Sequence, residues 1–247
     1  MKILAIANSF SMDACTFLHQ TAKAQGIDLD VTNLYIGGCP LEKHWENVLS
    51  GEKAYELQHN GERTTEMVSI QEMLERGGWD AIITQQASHD SGWLETYEPF
   101  LSHLTELFRR EAPGARLLLQ ETWAYDPNST HGKFPRYRNN QQEMYERLRS
   151  CYYSMAYKHG YELIPCGDVI QHVRSLPQFC MEKGGRSLCR DGFHMSWSYG
   201  RYLLALIWLR KLCGVSVKDN TFVPDGEEEV TEELLKVLRD TADAWEM

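Results

Sequence analysis

Several things are missing from this chain of 247 residues, and each absence narrows what it can do. No apolar stretch approaches the roughly 20 residues of a membrane-spanning helix. The longest, Tyr202 to Leu209, has the length of a helix segment in a core. The start does not resemble a signal peptide: one Lys precedes an apolar run, Ile3 to Ala7, that breaks at Asn8, short of the ~7 residues of a minimal secretory core. A first strand is expected there instead, in a cytoplasmic protein with no membrane partner. Clustered Lys and Arg are also missing, and the net charge is −10, so no nucleic-acid partner is expected. Among seven cysteines (Cys15, Cys39, Cys151, Cys166, Cys180, Cys189 and Cys213) there is no C-x-x-C pair, which argues against a structural zinc site. Their odd number and scatter point to free thiols, although Cys180 and Cys189 flank one loop and could pair in an oxidising compartment. Internal repeats, low-complexity tracts and linkers are absent too.

What is present suits a globular protein with a sizeable core: 43% of the residues are hydrophobic and 24% charged. One domain spanning residues 1–247 is expected, though the length would also fit two small ones. Much of the acidity gathers near the end, at Glu227, Glu228, Glu229, Glu232 and Glu233, where it favours solubility.

Strand and helix patterns alternate along the chain. Strands are expected at Lys2–Ala7, Asp30–Ile36, Trp79–Thr84, Ala115–Glu121 and Tyr161–Pro165. Helices are expected at Asp13–Gln25, Leu41–Leu49, Val68–Arg76, Thr96–Glu111, Asn139–His159, Asp168–Ser175, Met195–Cys213 and Thr231–Trp245. Lys53–Thr64 is polar and reads as an irregular excursion or a hairpin. A long loop, Trp123 to Tyr137, breaks the rhythm, and loops of that length are more often functional than idle. The alternation implies a three-layer α/β/α sandwich around a five-stranded, mostly parallel, flavodoxin-like sheet. Such sheets bind ligands at the carboxyl ends of their strands.

Four strand-end or loop segments carry candidate chemistry. Ser9, in N-S-F-S after the first strand, is either a helix cap or a nucleophile beside helix amides. In N-L-Y-I-G-G-C-P-L, the pair Gly37-Gly38 allows a tight turn or close approach of backbone N–H groups to a ligand. In I-I-T-Q-Q-A-S, the amides Gln85 and Gln86 stand where turn formers would be usual, and a carboxamide can donate to an oxyanion. In R-D-G-F-H-M-S, Asp191 and His194 are spaced so that the carboxylate can orient the imidazole. Ser11 reads as the N-cap of a helix starting at Met12. His44, His89, Asp90 and His131 remain between structural roles and a place in the pocket.

Taken in order, these segments resemble the SGNH (GDSL-like) hydrolases over nearly the whole chain. N-S-F-S stands where that family has G-D-S-L, and Q-Q-A-S where it has G-x-N-D; D-x-x-H matches outright. The resemblance implies Ser9 as nucleophile, His194 as base and Asp191 as its orienter. It also implies an oxyanion hole from the Ser9 and Gly38 amides with the Gln86 side chain, Gln85 being the second choice. The activity implied is that of a serine esterase or deacetylase acting on a small ester, without metal or other cofactor. Gln85, His89, Trp123 and Tyr125 are the candidate substrate contacts, and the aromatic loop would suit an acetylated sugar. Two other readings compete. One is a flavodoxin-like protein that binds a small ligand without catalysis, suggested by the Gln substitution. The other is a metal-dependent hydrolase using Asp191, His194, His89 and Asp90, which lacks any H-x-H or H-E-x-x-H spacing. Asn8, at the family's Asp position, has no ready explanation.

Overall fold

The apolar run after Lys2 forms β1 (Lys2–Ala7), the central strand, whose residues from Ile3 onward are all buried, as befits a strand covered on both faces. Around it a computed structural model describes residues 1–226 and 229–247; Glu227 and Glu228 of the acidic cluster lie outside the described residues. After β1 come α1 (Ser9–Cys15), α2 (Leu18–Lys23), β2 (Asp30–Tyr35), α3 (Leu41–Ser50), β3 (Tyr55–His59), β4 (Glu62–Val68), α4 (Ile70–Arg76) and β5 (Ala81–Thr84). The second half holds α5 (Phe100–Glu111), β6 (Arg116–Gln120), α6 (Gln141–His159), β7 (Glu162–Ile164), α7 (Cys166–Val173), α8 (Tyr199–Cys213) and α9 (Glu232–Ala244).

The sheet order is β4-β3-β2-β1-β5-β6-β7. The strands from β2 to β7 across the centre pair in parallel, while β3 and β4 add an antiparallel hairpin at one edge. The architecture is therefore the expected α/β/α sandwich with a mostly parallel sheet, but with seven strands rather than five. The two extra strands fall in the polar stretch that read as an excursion or a hairpin. Most of β4 is exposed, so no apolar alternation marks it.

Helices α1, α2, α8 and α9 pack together, and α3, α4 and α5 form a second group. The run Tyr202–Leu209 within α8 is buried all round, in keeping with its uniform apolarity. Helix boundaries move where caps and prolines act. The expected Asp13–Gln25 helix is two helices, because α1 begins at Ser9 and ends at Cys15, and α2 starts only at Leu18. α5 starts at Phe100 behind Pro99, and α8 starts only at Tyr199, which leaves residues 195–198 outside the helix and attached to a loop that matters below. No helix among the described residues is long and apolar enough to cross a membrane.

Candidate active site

Asn8 ends β1 in extended backbone and caps α1, its side-chain oxygen accepting from Phe10 N–H at 3.1 Å. Ser9 is thus the first residue of the helix, and its own N–H is among those a helix leaves without an internal partner. The cap role expected for Ser11 belongs to Asn8. Ser11 is buried inside the first turn, its hydroxyl 2.9 Å from Asn8 O and 2.7 Å from Asn33 Oδ1.

The other side of the site is a short hairpin-like loop from Leu188 to Ser196. Ser196 N–H donates to Leu188 O at 2.7 Å, Arg190 N–H to His194 O at 3.0 Å, and Cys189 bridges Met195. Gly192 turns its tip at φ +85°, where a Cβ would strike Ser129 at 2.9 Å, so glycine is required twice over. Within this loop Asp191 Oδ1 accepts the N–H groups of Phe193 (3.2 Å) and His194 (2.7 Å), while its Oδ2 lies 2.7 Å from His194 Nδ1. His194 Nε2 lies 2.9 Å from Ser9 Oγ. A proton on Nδ1, held by the carboxylate, leaves Nε2 as the acceptor of the serine hydroxyl. Burial alone would raise the Asp191 carboxyl, but the hydrogen bonds from the His194 side chain and backbone outweigh it and hold the group below its ordinary value.

The loop is gripped from behind. Trp123 stacks on Phe10 with ring centres 4.0 Å apart and donates from Nε1 to Phe193 O at 2.7 Å. Asp126 N–H donates to Gly192 O at 2.8 Å, and the Asp126 carboxylate binds Ser187 and Arg174. Trp123 and Tyr125 were candidate substrate contacts, yet both are wholly buried, and Tyr125 spends its hydroxyl on Ser88. They support the wall rather than line it. The half-buried rings facing the same region are His89, His131 and Phe193. His131 lies 4.8 Å from Phe193 and 6.0 Å from His89, centre to centre. Burial, chiefly, lowers the pKa of both histidines.

Gly38 sits at the apex of a turn closed by Cys39 N–H on Ile36 O at 3.3 Å. Its φ of +64° explains the glycine, and its own N–H makes no hydrogen bond among the described residues. The two glutamines divide differently from expectation. Gln86 Nε2 is spent on Thr96 O (2.8 Å) and Thr96 Oγ1 (3.0 Å), and its oxygen accepts from Leu41 and Ala87 N–H. Both N–H groups of its carboxamide are thus engaged away from Ser9. Gln85 is the amide that reaches the residue before Ser9: its Nε2 donates to Asn8 Oδ1 at 2.7 Å and retains a second N–H. Neighbouring residues at a strand end point to opposite sides, which is why only one of the pair reaches the site.

His44 and Cys39 form a separate buried cluster with Tyr55 behind the Gly38 turn. Asp90 pairs with Arg136, not with the Asp191–His194 loop. Among the described residues no three His, Cys, Asp or Glu side chains converge as a metal-holding group.

With that geometry in view, the family described as "Domain of unknown function (DUF4886)" matches residues 2–242. A solved DUF4886 protein from Bacteroides uniformis is 34% identical, with a TM-score of 0.89 over 98% of this chain and 93% of that one. The chain belongs to this family. More distant solved structures share the fold of the SGNH hydrolases. A Slackia heliotrinireducens protein assigned to the SGNH hydrolases is 20% identical (TM-score 0.60, covering 86% of this chain and 98% of that one). A catalytic mutant of an acetylxylan esterase from Geobacillus stearothermophilus is 12% identical (TM-score 0.58, 86% and 94%). No functionally curated protein matches this DUF4886 chain.

Sequence reasoning missed Asp13, a buried carboxylate one turn after Ser9 that bonds Arg190, Arg201 and the Met195 N–H. An Asp in an amphipathic stretch gives no sign of burial. It also missed the part Asn8 plays: the Asn8 Nδ2 donates to Cys39 O at 3.0 Å, so one side chain joins the ends of β1, β2 and β5.

Proposed function

We propose that this protein is a serine esterase that removes a small acyl group, most simply acetyl, from an alcohol such as a sugar hydroxyl. One observation carries the reading: the two-step relay from Ser9 Oγ to His194 Nε2 at 2.9 Å and from His194 Nδ1 to Asp191 Oδ2 at 2.7 Å. Ser9 Oγ attacks the ester carbonyl carbon as His194 takes the hydroxyl proton. The carbonyl oxygen becomes an oxyanion, received by the N–H groups of Ser9 and Gly38 and by the second N–H of Gln85. Donors of this kind are each worth about 3 kcal/mol when removed elsewhere. Collapse breaks the bond to the alcohol, which leaves with the proton from His194. Water then attacks the acyl-serine with His194 again as base, releasing the carboxylic acid and restoring Ser9.

The sugar alcohol is supported by the half-buried imidazoles of His89 and His131 beside Phe193, and by the shared fold with an acetylxylan esterase. Seven unpaired thiols suit action in the reducing cytoplasm. The test is hydrolysis of p-nitrophenyl acetate and a panel of acetylated sugars by the parent and by Ser9→Ala. Turnover by the parent and none by the mutant is expected. A mutant as active as the parent would remove Ser9 as nucleophile. If a fluorophosphonate fails to label the parent, the non-catalytic binding protein is the better description.

A further inference from the structure

The relay joins two segments that nothing local holds together. Ser9 rides on α1, and His194 on the loop from Leu188 to Ser196. The bonds within that loop fix Asp191 against His194, but they do not set the distance of either from α1. Trp123 and Asp126 hold the loop at Phe193 and Gly192, both from the segment after β6. A direct tie from the nucleophile's own helix is made by Asp13.

Asp13 is fully buried and lies four residues after Ser9, on the next turn of α1. Its Oδ1 accepts from Arg190 Nη1 at 3.0 Å and Arg201 Nε at 2.8 Å; its Oδ2 accepts from Met195 N–H at 2.9 Å, with Arg190 Nη1 at 3.2 Å. Met195 follows the base directly. Arg190, which bonds back to both His194 O and Met195 O, lies in the same loop. Both guanidinium groups also pack on the Trp197 ring, Arg190 at 4.2 Å and Arg201 at 4.4 Å from its centre. Buried ion clusters are often no more stabilising than apolar residues of the same volume, and in some proteins they are kept because they fix one geometry. A charged clamp at this position therefore makes more sense as an alignment device than as a source of stability.

We propose that Asp13 is a positioning residue that sets the Ser9–His194 distance by docking the helix of the nucleophile onto the loop of the base. The proposal rests on the esterase reading above. Misplacing reacting groups by about 1 Å can cost on the order of 100-fold in rate. For Asp13→Asn, kcat on p-nitrophenyl acetate is thus expected to fall about 10- to 100-fold with KM within about twofold, and fluorophosphonate labelling of Ser9 to slow in parallel. The downfield proton resonance of the His194 Nδ1–H should persist in the variant, because its partner Asp191 lies within the same loop. If Asp13→Asn does not fold, Arg190→Gln removes the clamp from the other side and should show the same split. Three outcomes overturn the proposal: kcat and labelling within twofold of the parent, a loss carried by KM, or disappearance of the Nδ1–H resonance, which would make the residue a structural prop of the loop. A parent that neither turns over esters nor is labelled removes the esterase reading and this proposal with it; a parent that is labelled, beside an equally labelled variant, removes the positioning role alone.

Discussion

Replacing Asn8 by Asp, the residue that SGNH hydrolases carry before the nucleophile, should destabilise this protein in a pH-dependent way. Asn8 is 2% exposed and makes three contacts. Its oxygen accepts from Phe10 N–H at 3.1 Å and Gln85 Nε2 at 2.7 Å; its Nδ2 donates to Cys39 O at 3.0 Å. A carboxylate keeps both acceptor contacts but sets an oxygen against the Cys39 carbonyl where a donor was. Only the protonated acid can donate there, so the folded state raises the carboxyl pKa above its unfolded value of about 3.9. A group raised in this way contributes fully below its unfolded pKa and loses its contribution as pH rises through the folded one. At about 1.4 kcal/mol per unit, holding the proton costs about 1.5 kcal/mol at about pH 5. At about pH 8 it would cost above 5 kcal/mol, so ionisation becomes the cheaper course and leaves Cys39 O unpaired and repelled, for a total of about 3–5 kcal/mol. Urea unfolding of parent and Asn8→Asp at the two pH values measures this. Asn8→Ala, which loses all three contacts without adding a titrating group, should cost roughly 3–5 kcal/mol at both. An Asn8→Asp penalty that is equal at the two pH values, or larger at the acidic one, would refute the reasoning.

Three more outcomes are expected. His44 is wholly buried, and burial lowers its pKa from 6.5 to about 3, so below about pH 6.5 the unfolded chain takes up a proton that the folded one refuses; near pH 4.5 this costs about 2.7 kcal/mol, and His44→Gln should lose that much acid sensitivity in a melting comparison at neutral and acid pH. Ser11→Ala should cost about 1–3 kcal/mol in chemical denaturation by stranding Asn33 Oδ1, with esterase activity retained, since Ser11 faces the interior. Gln85→Ala should lower kcat about 100-fold or more while Gln86→Ala lowers Tm instead; the opposite pattern in steady-state kinetics would return the oxyanion role to Gln86.

Much of this was legible in the sequence, and the rest was hidden for identifiable reasons. The strands of the parallel sheet announce themselves because both of their faces are buried, as in Ile3–Ala7 and Ala81–Thr84. In the β3–β4 hairpin, β4 is an edge strand exposed over most of its length and β3 buries the polar Gln58 beside Leu57, so neither carries a clear apolar alternation. The spacing of Asp191 and His194 is local and could be read directly, whereas the side to which Gln85 and Gln86 each turn depends on strand register, which one sequence does not display. Trp123 and Tyr125 looked like a sugar platform because aromatic residues in a long loop suit either exposure or burial; packing against Phe10 and Phe134 decides for burial. Asn8 differs from the Asp of the SGNH motif it resembles for a local reason: its position demands a donor on one side and an acceptor on the other, and Asp would supply only acceptors once ionised.

The hydrogen bond between Ser9 and His194 spans 185 positions of the chain. A contact of such separation must offset the loop-closure entropy of all the chain between, and is therefore expected to close late in folding. On a ribosome, the first strand and Ser9 emerge long before His194 does, and β1, β2 and β5 can assemble around a serine hydroxyl that still lacks its imidazole partner. On the proposed esterase reading, turnover regained after dilution from denaturant would accordingly lag behind recovery of helical circular dichroism, reporting the final docking step rather than sheet formation.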